Sequence, residues 1–201
     1  GYLQRIRPFV GKPVIKVLAG QRRVGKSCIL RSLADEAAKG GKPVLFINKE
    51  LEAFSGIRTH EDLHAYVRSL HQPGCCVYID EVQEIRDFHL ALRSLLAEGD
   101  CDLYCSGSNA YLLSGELATL LAGRCVAFTI HSLSYSEFLQ FHHLEAGTEA
   151  VLQYMRFGGM PFLSQLGLNA EVADEYLRNV SSTILLKDVV ARTGARNIAF
   201  L

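Results

Sequence analysis

Up to Ile130 the chain alternates between two hydrophobic patterns. Short runs that are apolar at nearly every position fall at residues 14–19, 43–48, 75–80, 103–106 and 125–130, and these predict strands. Between them, apolar residues recur every three or four positions, as Ile29, Leu30, Leu33, Ala34, Ala37 and Ala38 do in the segment 26–39. Further helices are predicted over 61–70 behind a Thr59 cap, over 87–98 with Phe88, Ala91, Leu92, Leu95 and Leu96 on one side, and over 111–121. Strands that lack a polar face need cover on both sides, so this alternation predicts an α/β fold: a five-stranded parallel sheet between two layers of helices.

After Ile130 only helical periodicity continues. Ser134 and Glu137 stand at capping-box spacing before a helix to Phe141, and a second helix from Thr148 stops at Gly158-Gly159-Met160-Pro161. A third carries Val172, Tyr176, Val180 and Ile184 as its apolar stripe. The expected organisation is a sheet core over residues 1–131 and a helical lid over 132–201, incomplete at its carboxyl end.

The first strand runs into Gly20-Gln21-Arg22-Arg23-Val24-Gly25-Lys26-Ser27, which meets the pattern G-x-x-x-x-G-K-[ST] at every constrained position and has a strand before it and a helix after it. Glycines let the backbone wrap an anion, the helix start presents N–H groups and a positive dipole end, and Lys26 reaches terminal phosphates. Gly20, Gln21, Arg22, Arg23, Val24, Gly25, Lys26, Ser27 and the following Cys28 are therefore the expected nucleotide-binding residues, with the Ser27 hydroxyl as a Mg²⁺ ligand.

The third strand, Cys75-Cys76-Val77-Tyr78-Ile79-Asp80-Glu81, ends in two acids. A carboxylate at that sheet edge can hold Mg²⁺ through water, which is the role expected of Asp80; Glu81 is expected to orient and polarise an attacking water. Guanine specificity would call for Asn-Lys-x-Asp late in the fold, whereas Asn48-Lys49-Glu50-Leu51 comes early and lacks the aspartate. ATP is the expected nucleotide, with Tyr2 or Phe9 as candidates for stacking on the base.

Composition narrows the class. With 21 Lys plus Arg against 21 Asp plus Glu in 201 residues, no overall basic field would gather nucleic acid or an anionic membrane. Arg5, Arg7, Lys12 and Lys16 read as one solvated basic cluster and Lys187, Arg192 and Arg196 as another. The six cysteines form no C-x-x-C pair and no zinc spacing with histidine; they read as small buried hydrophobes of a reducing compartment. His131 and the adjacent His142 and His143 suggest no transition-metal site, because neighbours on a helix diverge by about 100°. No stretch has the length of a membrane span or the layout of a signal peptide, so a cytoplasmic location is expected. A chain starting at Gly1 and stopping at Phe200-Leu201 is expected to be an excised domain.

These residues resemble the AAA+ ATPases, in particular the bacterial and archaeal branch whose loop reads Gly-x-Arg-Arg-x-Gly-Lys-Ser or Thr. The resemblance extends through Val77 to Gln83, Ser106-Gly107-Ser108-Asn109, Leu121-Ala122-Gly123-Arg124, Leu133 to Phe138 and Gly158 to Pro161. It implies that Ser108 or Asn109 senses the γ-phosphate and that Arg124 is an arginine finger. It also implies that Asn48 restrains the catalytic glutamate and that Pro161 contacts nucleotide. Further, it implies a homo-oligomer, a separate carboxyl-terminal domain often similar to restriction-type nucleases, and DNA as a partner only through the complete protein. Two other functions stay open on residues alone: a nucleotide-dependent binding module with little turnover, and a small-molecule phosphotransferase, which the adjacent Asp80-Glu81 pair disfavours.

Overall fold

The computed structural model describes residues 1–108, 120, 121 and 123–184. Asn109, most of the predicted helix 111–121 and the basic cluster Lys187, Arg192 and Arg196 lie outside the described residues. The described chain divides into two compact units, one of residues 1–21 and 25–130, the other of Arg22–Val24 with the described residues from His131 onward.

In the first unit a short helix α1 (Tyr2–Ile6) precedes β1 (Ile15–Gly20), α2 (Lys26–Lys39), β2 (Val44–Asn48), α3 (His60–Leu70), β3 (Cys75–Asp80), α4 (Phe88–Glu98), β4 (Cys101–Ser108) and β5 (Cys125–Ile130). The sheet order is β2-β3-β4-β1-β5 and every pairing is parallel. Alternate residues of each strand face opposite layers. Ile15, Val17 and Ala19 of β1 join Val77, Ile79, Leu103 and Cys105 beneath α3 and α4, where Leu63, Val67, Phe88, Leu92 and Leu95 complete the main core. Each fully buried Val, Leu, Ile or Phe side chain among them stabilises the fold by about 1.5–3 kcal/mol relative to exposure. On the other face Tyr78 and Tyr104 stack with centroids 4.6 Å apart, and the Tyr78 hydroxyl donates to the Leu33 carbonyl of α2 at 3.1 Å. Burial raises the pKa of both phenols, so they stay neutral.

Lys16 corrects the solvated-cluster reading. Its position in β1 turns it inward, where it is 0% exposed and paired with Asp102 of β4. The Lys16 ammonium also donates to the Lys12 carbonyl at 2.9 Å, while Asp102 Oδ2 accepts from the Gly11 N–H at 2.7 Å and the Tyr104 hydroxyl at 2.8 Å. A buried charge is tolerated only when paired and hydrogen-bonded in this way. Phe9 packs edge-on against Phe128, with centroids 5.7 Å apart. Cys28 is a second correction, being exposed on α2 where a buried thiol was expected.

The second unit contains α5 (Tyr135–His142), α6 (Thr148–Phe157) and α7 (Ala170–Ile184). Ser134 caps α5, its hydroxyl accepting from the Glu137 N–H at 3.4 Å while Glu137 accepts from the Ser134 N–H at 2.9 Å. Phe138 is buried against Tyr154, whose hydroxyl donates to the Leu133 carbonyl at 2.8 Å. On α7 Val180 is buried and Tyr176 packs on the core as expected, whereas Val172 is exposed and Ala173 takes the inward place beside it.

Candidate functional site

Parallel pairing brings the carboxyl ends of the strands to one edge, and the register specifies who meets there. Gly20 lies beside Ser108, and Asn48 beside Asp80. The chain leaves β1 toward β2 and leaves β4 toward β5, in opposite directions. The crevice between β1 and β4 is thus the point where an open α/β sheet binds its ligand.

The loop between β1 and α2 begins at this edge, at Gly20. Gly25, at φ +96°, occupies the left-handed region that glycine alone adopts freely, and it is the residue from which α2 starts. Val24 and Lys26 are buried and Ser27 is exposed at the helix start. The Lys26 ammonium donates to the Gly20 carbonyl at 2.9 Å and the Gln21 carbonyl at 2.8 Å, holding the cation against the loop backbone. Arg23 also has positive φ, at 66°, and its guanidinium lies 5.6 Å from the Tyr176 ring centroid within the second unit.

Asp80 is 1% exposed, and its Oδ1 accepts from the Ser106 hydroxyl on β4. Ser106 was not singled out by the sequence reading for this task; the signal was a hydroxyl inside an otherwise apolar strand. Glu81 follows in a left-handed conformation at φ 55°, which turns the chain out of the strand, and its Oε2 accepts from the Gln83 side-chain amide. The Gln83 Oε1 is buried without a hydrogen-bond partner. Asn48 Oδ1 accepts from the Glu50 N–H at 2.9 Å and so caps its own turn.

Ser108 is 5% exposed at the tip of β4. Arg124 is elsewhere. It is exposed and precedes β5, its carbonyl accepting from the Ile15 N–H at 2.9 Å, which puts it at the amino-terminal edge of the sheet. About 16 Å of strand separates that edge from Gly20. The structure therefore does not bring Arg124 to the loop of its own chain. In the second unit, Gly158 ends α6 and Gly159 lies against the Leu133 backbone, donated to through its carbonyl by the Leu133 N–H at 2.7 Å. A Cβ on Gly159 would collide with the Leu133 carbonyl oxygen. Packing thus accounts for the glycine, and Pro161 opens a 3₁₀ turn after it.

Among the described residues no helix is long and apolar enough to cross a membrane. Oxygen donors suit Mg²⁺, and the Ser27 hydroxyl and the buried Asp80 carboxylate are such donors.

A family model described as an AAA domain matches residues 12–139. An uncharacterized protein of Haemophilus influenzae is 30% identical over 210 residues, covering 100% of this chain and 52% of its own length. An uncharacterized protein of Methanocaldococcus jannaschii is 29% identical over 197 residues, covering 92% and 44% respectively. The chain spans about half the length of these relatives. Among solved structures, the replication initiator DnaA bound to AMPPCP and single-stranded DNA superposes with a TM-score of 0.53 at 15% identity, covering 96% of this chain and 62% of DnaA. The Hsp104:casein complex of Saccharomyces cerevisiae gives 0.55 at 15% identity over 88% of this chain and 38% of that one. The Aeropyrum pernix Orc1 protein in complex with DNA gives 0.52 at 13% identity over 90% and 64%. At such identities these likenesses speak for the fold. Together with the matched family model and the loop between β1 and α2, they show that this chain belongs to the AAA family of P-loop nucleotide-binding domains.

Proposed function

We propose that this chain binds Mg-ATP and hydrolyses it, as the motor or switch for an attached domain or partner. The observation that carries the reading is the placement of Asp80 and Glu81 at the end of β3, on the same sheet edge as the loop that follows β1. In this reading Gly20 to Ser27 cradle the phosphates, and Ser27 and Asp80 hold Mg²⁺, which would neutralise charge on the β- and γ-oxygens. Glu81 orients the attacking water, and Ser108 contacts the γ-phosphate. Arg124, remote from its own loop, serves a neighbouring chain of a homo-oligomer. Pro161 and Asn109 are assigned nucleotide and sensor contacts by family likeness alone. DNA enters only through the complete protein.

Magnesium-dependent phosphate release by the purified chain tests this, with Glu81→Gln as the control. The variant should retain Mg-ATP and lose turnover, since an amide keeps the shape of the carboxylate and cannot accept the proton. Turnover equal to that of the parent chain would remove Glu81 from the chemistry.

One observation favours a second reading, a nucleotide switch with little turnover. The Gln83 amide donates to Glu81 Oε2, occupying an oxygen that a base would offer to water. In that case ATP and ADP change partner binding while hydrolysis stays slow until a partner withdraws Gln83.

A further inference from the structure

A second cluster of reactive side chains lies at the opposite end of β3 from Asp80. After α3, His71 turns into an extended conformation and the segment His71-Gln72-Pro73-Gly74 leads to Cys75, the first residue of β3. The Cys75 N–H donates to the Gln72 carbonyl at 3.0 Å and the Gly74 N–H to the Asp100 carbonyl at 3.2 Å, which ties this turn to the start of β4. Cys75 and Cys101 are direct partners in the parallel register, and their sulfurs are 3.1 Å apart.

A ring nitrogen of His71 and the two sulfurs all lie within 4.8 Å of one another. The His71 Nε2 is buried without a hydrogen-bond partner, and the Asp100 carboxylate stands 3.8 Å from it. Three donors thus converge, an imidazole and two thiols, with the Asp100 carboxylate beside the imidazole. Tetrahedral Zn²⁺ with Zn–S bonds of about 2.3 Å places its sulfurs about 3.8 Å apart, so the two cysteines need part by only roughly 0.7 Å. Two thiolates and an imidazole select a soft or borderline metal over Mg²⁺.

We propose that His71, Cys75 and Cys101 bind Zn²⁺, with water completing the tetrahedron on the side of the Asp100 carboxylate. Beside them a surface pocket of about 210 Å³, lined by Gly74, Gly99, Asp100 and Cys101, supplies an entry path. The ion would pin the end of α3 to the first residues of β3 and β4. It stands about 16 Å along β3 from Asp80, so its role is to brace the sheet and not to take part at the phosphate edge. A disulfide between Cys75 and Cys101 would leave the buried His71 nitrogen unexplained.

Reduced, metal-free protein titrated with Co²⁺ tests the site. We expect saturation at one equivalent, with the ligand-field bands of tetrahedral cobalt and thiolate-to-metal charge transfer, both abolished by Zn²⁺. Cys75→Ser/Cys101→Ser should lose the charge-transfer bands, His71→Ala should bind at least tenfold more weakly, and Cys28→Ser should keep full stoichiometry. Because buried cysteine variants can misfold, X-ray absorption at the zinc edge of the unmutated protein gives a second readout, with two sulfur neighbours expected. Failure of the reduced protein to take up one equivalent, a zinc edge without two sulfurs, or isolation of the protein with an intact Cys75–Cys101 disulfide would each overturn the proposal.

Discussion

Ser106 of β4 donates its hydroxyl to Oδ1 of Asp80, the last residue of β3, and both side chains are buried. The bond crosses between adjacent parallel strands and holds the carboxylate in one rotamer at the sheet edge. A hydrogen bond to a charged group contributes about 1.5–3 kcal/mol. Ser106→Ala is therefore expected to weaken Mg²⁺-dependent ATP binding about tenfold or more, while metal-free nucleotide binding barely changes. Calorimetry with and without Mg²⁺ checks this. Equal losses in both arms would mean that Ser106 supports the pocket in general and not the metal ligand.

Lys26→Ala is expected to lower ATP affinity by about tenfold to more than a hundredfold, the worth of a charge-assisted phosphate contact. The structure adds a local consequence. Lys26 also secures the Gly20 and Gln21 carbonyls, so amide exchange in the loop should quicken while that of β3 and β4 stays slow. Unchanged affinity would take Lys26 out of the site.

Gln83→Ala frees Glu81 Oε2 from its amide partner and removes a buried, unsatisfied carbonyl oxygen. If Gln83 restrains the base, basal ATP turnover rises several-fold with little change in KM. A fall in turnover would instead make Gln83 the residue that positions Glu81 for catalysis.

Breaking the buried Lys16–Asp102 pair from one side leaves a charge stranded among Tyr104 and the sheet. Lys16→Met is expected to cost about 3–5 kcal/mol of stability in urea unfolding, far more than a solvated lysine would. Lys16→Met combined with Asp102→Asn should recover part of that loss, since no uncompensated charge then remains. A change under 1 kcal/mol for the single variant would return Lys16 to the solvent-facing reading.

Arg124 sits at the wrong sheet edge to serve its own loop, so any action on ATP must come from a neighbour. Turnover per chain should then rise with concentration as chains assemble. A mixture of Arg124→Ala and Lys26→Ala proteins should regain activity that neither has alone, because one supplies a competent loop and the other a guanidinium, worth on the order of 10³–10⁵ in rate where such fingers act. Co-assembly without rescue would exclude the role.

Local pattern determined a large part of this protein. Strands β3 and β5 and helix α2 lie where hydrophobic periodicity alone puts them. Likewise the Thr59 cap and the Ser134–Glu137 capping box follow from local spacing, because a cap is an interaction between near neighbours. The loop joining β1 to α2 is legible for the same reason: Gly20, Gly25, Lys26 and Ser27 lie close together in the chain. What tertiary structure decided are contacts that depend on strand order and register. Lys16 reads as one more exposed cation until β4 places Asp102 beside it, 86 residues away. Ser106 has no assigned partner until parallel pairing sets it against Asp80, and His71, Cys75 and Cys101 form no sequence spacing yet share one corner of the sheet. In each case the partner's identity follows from which strand lies alongside and at what offset. That choice is made by burial of the whole sheet, and no local window of the chain contains it.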